Sequence, residues 1–332
     1  MLSLYLALLC RAMHDRKEFK HDLKNFSLPR SVDGTYNFAC NMLPGLAMFS
    51  YVETAWRILK EKNIPEDIIR ASLSIFDKPV TLFMNKNDGA KGYDHFVWNQ
   101  HYLDGEIFLL GGLEYQINIE FCAKASVFKD KNGNTMALAD GIDAHRSGMV
   151  LGSKNFEDTK DSFAASIREY DDRFEGYPIR EDGTVSKNQM ILSKSIWDKV
   201  LQNGDSVVSV HIPHKTDLSP ASVDDSFKQA RAFLKTYFPQ YNYKAFICTS
   251  WLMDPQLGYL LKENSNIAAF NKRFNKVTDL SFGEGVLKFV FFTDSSAELN
   301  KLPENTSLQK ILKNHYVNGR VIYEFIGYIY IN

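Results

Sequence analysis

Between Ala39 and Lys62 the apolar residues Met42, Leu46, Phe49, Val52, Trp56 and Leu59 fall three or four positions apart. That spacing places them on one face of a helix, with Pro44 near its start, where a missing N–H costs nothing. Pro65 opens a second helix through Ile68, Ile69, Leu73 and Phe76, and Pro79 a third through Leu82 and Phe83. Met1–Cys10 is apolar too, but no positive charge precedes the run and no small-residue cleavage site follows it. It is also too short to span a bilayer, so it reads as a core-facing helix continuing through Arg11 and Met13. Residues 1–92 are therefore expected to be a helical region, ending at the polar stretch Asn85–Gly92.

The pattern then changes. Glu106–Leu113 and Glu114–Phe128 are rich in Ile, Phe and Val and read as strands. Lys131-Asn132-Gly133-Asn134 follows, a hairpin signal because Asn-Gly accepts positive φ at both central positions, and Met136–Ala139 returns as the partner strand. Residues 143–205 are mixed and polar, with turns at Gly176-Tyr177-Pro178 and Glu181-Asp182-Gly183 and a short helix expected near Ser195–Leu201.

From Ser206 the order is firmer. Ser206–Ile212 is a buried strand ended by Pro213. A helix follows from Ser222, with Val223, Phe227, Ala230, Leu234 and Tyr237 on one face and Ser222-x-x-Asp225 as a relative of the capping box. Lys244–Ser250 is the next buried strand. Asp254-Pro255 and Ser265-Asn266 each start a helix; Val286–Phe292 and Arg320–Ile331 read as strands, with a helix at Leu308–His315 between them. This alternation predicts an α+β fold, a mixed sheet flanked by helices over residues 93–332.

Composition narrows the function classes. The net charge of −1 gives no basic face for nucleic acid, and no polybasic run suits a membrane surface. The cysteines Cys10, Cys40, Cys122 and Cys248 are far apart and form no C-x-x-C pair, which indicates reduced, buried thiols in a cytoplasmic protein. Asp140, Asp143 and His145, with His211-x-x-His214, are candidate metal ligands, yet their spacing fits no known metal template. Gly111-Gly112 and Gly283-x-Gly285 do not make a phosphate-binding signature, and no G-x-S-x-G hydrolase elbow occurs.

At His211-Ile212-Pro213, Ser226, Ser250-Trp251-Leu252 and Ser265-Asn266-Ile267-x-x-Phe270 the chain resembles a family of bacterial acyltransferase-domain proteins. That family joins a helical N-terminal domain to a GNAT-like C-terminal domain, and the resemblance is clearest over residues 175–331. It implies a GNAT-type fold in which acetyl-CoA or another acyl-CoA lies between two splayed parallel strands, here 206–212 and 244–250. It further implies Val210, His211 and Ile212 beside the pantetheine arm. The phosphates would fall to Lys215, Lys228 or Arg231.

One departure has a physical consequence. Active enzymes of that superfamily carry a Q/R-x-x-G-x-G/A loop whose N–H groups hold the CoA pyrophosphate at a helix N-terminus. This chain has His214–Ala221 there, without glycine, and Asp224 and Asp225 occupy the first turn of the helix.

His211, at a strand end, can serve as general base, or it can bond structurally across the splay. Tyr259 lies where GNAT enzymes often keep the tyrosine that protonates the leaving thiolate; the bland alternative is a packed aromatic. Ser250 offers a hydroxyl between the strands or simply caps the strand end. The leading expectation is acyl transfer from CoA to a small amine or hydroxyl acceptor, with no metal. A silent GNAT-like binding module and a metal-dependent hydrolase built on Asp143, His145 and His211 are the rivals. The sequence does not fix the oligomeric state.

Overall fold

A computed structural model describes residues 38–74, 80, 81, 83, 84, 89, 91–93, 96–152, 159–278, 283–293 and 297–331. The expected helix at Met1–Cys10 lies outside these residues, whereas the one expected after Pro79 is helical at its described residues 80, 81, 83 and 84. Contacts divide the chain into two compact units, one reaching Gln116 and taking back Gln229–Pro239, the other comprising Ile117–Lys228 and Gln240–Asn332.

The first unit holds helices α1 (Phe38–Glu61), α2 (Glu66–Leu73) and α3 (Phe96–Leu103). Two expectations for α1 need correcting. Pro44 lies inside the helix, which begins at Phe38. The buried stripe is Met48, Tyr51, Ala55 and Leu59, whereas Leu46 and Phe49 are 46% and 42% exposed. A helix apolar on most sides offers two adjacent faces with the same periodicity, and packing selects between them. Strands β1 (Ile107–Leu110) and β2 (Leu113–Glu120) form a hairpin whose two-residue turn, Gly111-Gly112, has φ of 59° and 96°. Positive φ at both positions is the primed-turn geometry that matches strand twist. Phe108 of β1 packs on Phe233 and Phe238, with ring centroids 4.8 and 5.5 Å apart.

The second unit contains two layered sheets. One has the order β10-β3-β4-β8-β7, with β9 beside β8. Its strands are β3 (Ala125–Asp130), β4 (Thr135–Ala139), β7 (Arg168–Glu169), β8 (Arg173–Pro178), β9 (Met190–Ser193) and β10 (Trp197–Leu201), and β5 (Ile142–His145) pairs separately with β6 (Ser162–Ala165). The other runs from the end of β2 through β11 (Ser206–His211), β12 (Ala245–Ser250) and β14 (Phe325–Tyr330) to β13 (Asn275–Val277). Strand alternation separates two cores. Val127, Ala137 and Ala139 face Val207, Ile247 and Ile326 of the second sheet, while Phe128 and Leu138 turn outward to Phe174 and Leu192. Helix α4 (Pro220–Tyr237) joins β11 to β12, and α5 (Leu257–Leu260), α6 (Asn266–Lys272), α7 (Gly285–Phe289) and α8 (Ser307–Val317) follow.

Several sequence expectations are overturned here. Trp197–Leu201 is an edge strand paired with β3, not a helix; its Trp and Val fill a sheet edge well. Val286–Phe292 contains helix α7 rather than a strand, an ambiguity inherent in short apolar runs. Glu114–Phe128 splits into β2 and β3, with Asn118 at φ 60° inside β2. At the 131–134 turn only Gly133 takes positive φ, 92°; Asp130 fixes the turn by accepting from the backbone N–H of Asn132 and Asn134. The last strand starts at Phe325, because the chain before it is bound to side chains: Tyr323 N donates to Asp254 Oδ2 and Val321 O accepts from Gln256. Finally, Cys122 is exposed, whereas Cys248 is buried as expected.

Candidate active site at the β11–β12 opening

Strands β11 and β12 are adjacent and parallel, as a strand–helix–strand crossover requires. Their ladder pairs Val208 with Phe246 and Ser209 with Ile247, and it ends there. On its far side β12 stays paired with β14 along its whole length, from Ala245↔Tyr330 to Ser250↔Phe325. Val210 and His211 therefore leave β12, and Cys248, Thr249 and Ser250 leave β11. The result is an opening bordered on one side by backbone no longer engaged in the ladder. Val210 is buried, and His211 and Ile212 are partly exposed at the exit.

Ser250 closes β12 by accepting a 3.1 Å bond from Leu252 N, capping the short 3₁₀ turn Trp251–Met253. A Cβ on Gly285 of α7 would stand 3.3 Å from Trp251 Cβ. After α7, Phe292 meets the His214 ring edge-on at 5.7 Å. The α7 segment thus runs beside the exits of both strands. It carries Phe289 and Phe292 exposed at 55% and 62%, and Phe292 is held at φ 56°, a strained conformation for a bulky residue.

The start of α4 differs from expectation. The helix begins at Pro220, where proline is preorganised. Ser222 does not cap it; its hydroxyl donates 2.6 Å to Asp217 Oδ2, which also takes the Ser219 hydroxyl, while Asp217 Oδ1 accepts from Ser219 N. These bonds, the Ser222 hydroxyl foremost, hold the Asp217 carboxyl below its ordinary pKa. Arg273 pairs with Asp224 and donates 3.0 Å to Pro220 O, and this pairing lowers the Asp224 pKa. Lys215 is exposed at φ 65°, and Lys228 and Arg231 are exposed on α4.

Beyond β12 lies a polar cluster the sequence reading missed. Buried Asp254 accepts from Gln256 N at 2.8 Å, Gln256 Nε2 at 3.0 Å and Tyr323 N at 2.7 Å. Gln256 Nε2 also donates 2.9 Å to Val321 O, and its Oε1 receives His315 Nε2 at 3.1 Å and the Tyr259 hydroxyl at 3.2 Å. Tyr259 itself is 69% exposed. Of these residues only Tyr259 was a site candidate, through the family resemblance; Gln256 and His315 are 59 positions apart, so no local pattern joins them.

The candidate metal ligands are not assembled. Asp143 and His145 lie on β5, His145 Nδ1 accepts from Ser147, and Asp143 borders a cavity of about 190 Å³ with Cys122, Lys124 and Thr278. Among the described residues no three His, Cys, Asp or Glu side chains are grouped to hold a metal ion. Also among them, no helix is long and apolar enough to cross a membrane.

Comparison with known proteins gives the same architecture. An acyltransferase solved with decanoyl-CoA aligns at TM-score 0.63 and 21% identity, covering 99% of this chain and 78% of that one. An acyltransferase with CoA and 10C-teicoplanin aligns at 0.58 and 19%, covering 89% and 68%. A further acyltransferase complex, with decanoyl-CoA and teicoplanin, aligns at 0.61 and 17%, covering 99% and 76%. At these identities the likeness concerns the fold. No curated protein matches. The family model of the GNAT-like C-terminal domain matches residues 107–329, so the chain belongs to that family.

Proposed function

We propose that the protein is an acyl-CoA-dependent acyltransferase acting on an amine or hydroxyl of a small-molecule acceptor. The observation that carries the reading is the end of the β11–β12 ladder at Ser209 and Ile247. An extended pantetheine arm is itself a row of amides and can occupy such a gap as an added β-partner. The similar folds solved with CoA and decanoyl-CoA support the same occupant. Those solved with teicoplanin support a small-molecule acceptor.

In this mechanism the backbone N–H groups beyond Ser209 polarise the thioester carbonyl. The acceptor nitrogen or oxygen attacks the carbonyl carbon while His211 takes its proton as general base. The C–S bond then breaks and CoA leaves as thiolate, protonated from solvent or the site. Ser250, engaged as a cap through its oxygen, still has a hydroxyl proton to offer the carbonyl. The phosphates meet Lys215, Lys228 and Arg231 rather than the α4 N-terminus, where the Asp217 carboxylate already accepts from the Ser219 and Ser222 hydroxyls. That occupied terminus also favours a second reading, a GNAT-like module that binds a ligand without turnover.

Calorimetric titration with acetyl-CoA and decanoyl-CoA tests the reading, followed by thiol release with teicoplanin as acceptor probe. Binding and turnover are expected, and His211→Ala should keep binding but lose about 10²-fold to 10⁴-fold in rate. Binding without turnover would favour the silent module; no binding of either thioester would overturn the acyl-CoA reading.

A further inference from the structure

We propose that Gln256 is a positioning residue that turns the Tyr259 hydroxyl proton inward, so that Tyr259 offers its phenolic oxygen as a hydrogen-bond acceptor to the N–H or O–H of the acceptor substrate. This rests on the acyltransferase reading and assigns Tyr259 a role other than acid toward the leaving thiolate.

The argument follows from which atoms can donate. Gln256 has one carbonyl oxygen and one NH₂ group. The atom facing Asp254 Oδ2 at 3.0 Å and Val321 O at 2.9 Å meets two acceptors, so it must be the NH₂. The amide orientation is thereby fixed, and the other side is the oxygen. Two groups reach that oxygen, His315 Nε2 at 3.1 Å and Tyr259 Oη at 3.2 Å. Both must donate, so His315 carries its proton on Nε2 and Tyr259 points its proton into the protein. All four hydrogen-bonding positions of the amide are then used.

The surroundings oppose proton release from Tyr259. A phenolate would confront the Gln256 carbonyl lone pairs. Burial and the nearby Asp254 carboxylate raise the Tyr259 pKa, and Arg320 only partly offsets them. His315 is buried, and burial and Arg320 lower its pKa, which keeps it a neutral donor. The donated proton in turn leaves the lone pairs of the phenolic oxygen to accept, on a residue that is 69% exposed. A donor arriving from solvent finds an acceptor there. The acceptor substrate of an acyl transfer carries such a donor at the atom that attacks.

The test has two arms. In the first, the full chain labelled with ¹³Cζ-tyrosine is titrated by NMR without any substrate, the Tyr259 signal being the one missing from Tyr259→Phe. An apparent pKa above that of free tyrosine is expected, falling toward the free value in Gln256→Met; a native pKa at or below the free value overturns the proposal. Should Gln256→Met fail to fold, the native titration stands by itself. The second arm compares Tyr259→Phe with the native chain using decanoyl-CoA and teicoplanin. A several-fold rise in acceptor KM with an unchanged pH profile of kcat supports an acceptor role. A fall in kcat with loss of the basic limb would restore the acid and overturn the proposal. Absence of turnover in both chains would count against the acyltransferase reading alone, and the NMR arm would still decide the direction of the Tyr259 hydrogen bond.

Discussion

Lys276 shows how far a single side chain departs from what its letter suggests. Its ammonium donates to the carbonyl oxygens of Asn271 and Phe274, 2.6 and 2.7 Å away at the C-terminal end of α6. Burial lowers its pKa to about 8 from 10.5, with Glu181 opposing. Between those values the unfolded chain binds more protons than the native one, so this residue makes stability rise with pH. Burial pushes the Cys248 thiol up to about 12 and raises Tyr93 and Tyr316, and these groups act in the opposite sense above about pH 9. Urea midpoints measured at pH 7.5, 8.5 and 9.5 should therefore climb more steeply, or fall less, in the native chain than in Lys276→Met. Parallel curves would refute the assignment. The sequence marked none of this, because a lysine near an apolar run usually reaches solvent with its head. Here two backbone carbonyls hold it.

At the scale of elements, α4 is the instructive case. Its core face was legible, since Val223, Phe227, Ala230 and Leu234 are all buried. Its first turn was not, because the partner of Asp224 is Arg273, 49 positions away, and the bond of Ser222 goes back to Asp217. Asp224 is thus neutralised rather than simply repelling an anion. Asp224→Asn should free the Arg273 guanidinium beside the helix start and tighten CoA binding by about twofold to fivefold at low salt, the gain shrinking as ionic strength rises. Calorimetry of both chains at two salt concentrations measures this; weaker binding by the variant would show that the pair itself holds the site together. The expected strand at Val286–Phe292 failed for a related reason. Five or six apolar residues fit a strand or a helix equally, and Tyr316, which donates 3.0 Å to Gly283 O, anchors the start of the α7 segment.

For the whole molecule, the chain order and the compact units do not coincide. The first unit closes at Gln116 and includes Gln229–Pro239, so the second half of α4 completes a core begun by the hairpin. A fragment starting at Ile117 loses Phe108 and uncovers the rings of Phe233 and Phe238. It is expected to self-associate, and size-exclusion chromatography beside the full chain reads this out. A monomeric fragment with a native-like melt would show that the hairpin is dispensable.

The sequence by itself determined the α+β class, the buried strands at 206–212 and 244–250, each within one residue of the observed bounds, the helix between them and, through a few spaced motifs, the family. These are local matters: periodicity, proline and short runs of apolar residues state how a segment must bury itself. Tertiary structure decided which face of α1 is covered, the strand at Trp197–Leu201 and the point where β11 and β12 part. It also decided the Asp254–Gln256–His315–Tyr259 cluster. Each of these depends on partners tens of residues away, and a polar side chain reveals whether it donates or accepts only when the fold brings it against an atom with the opposite need.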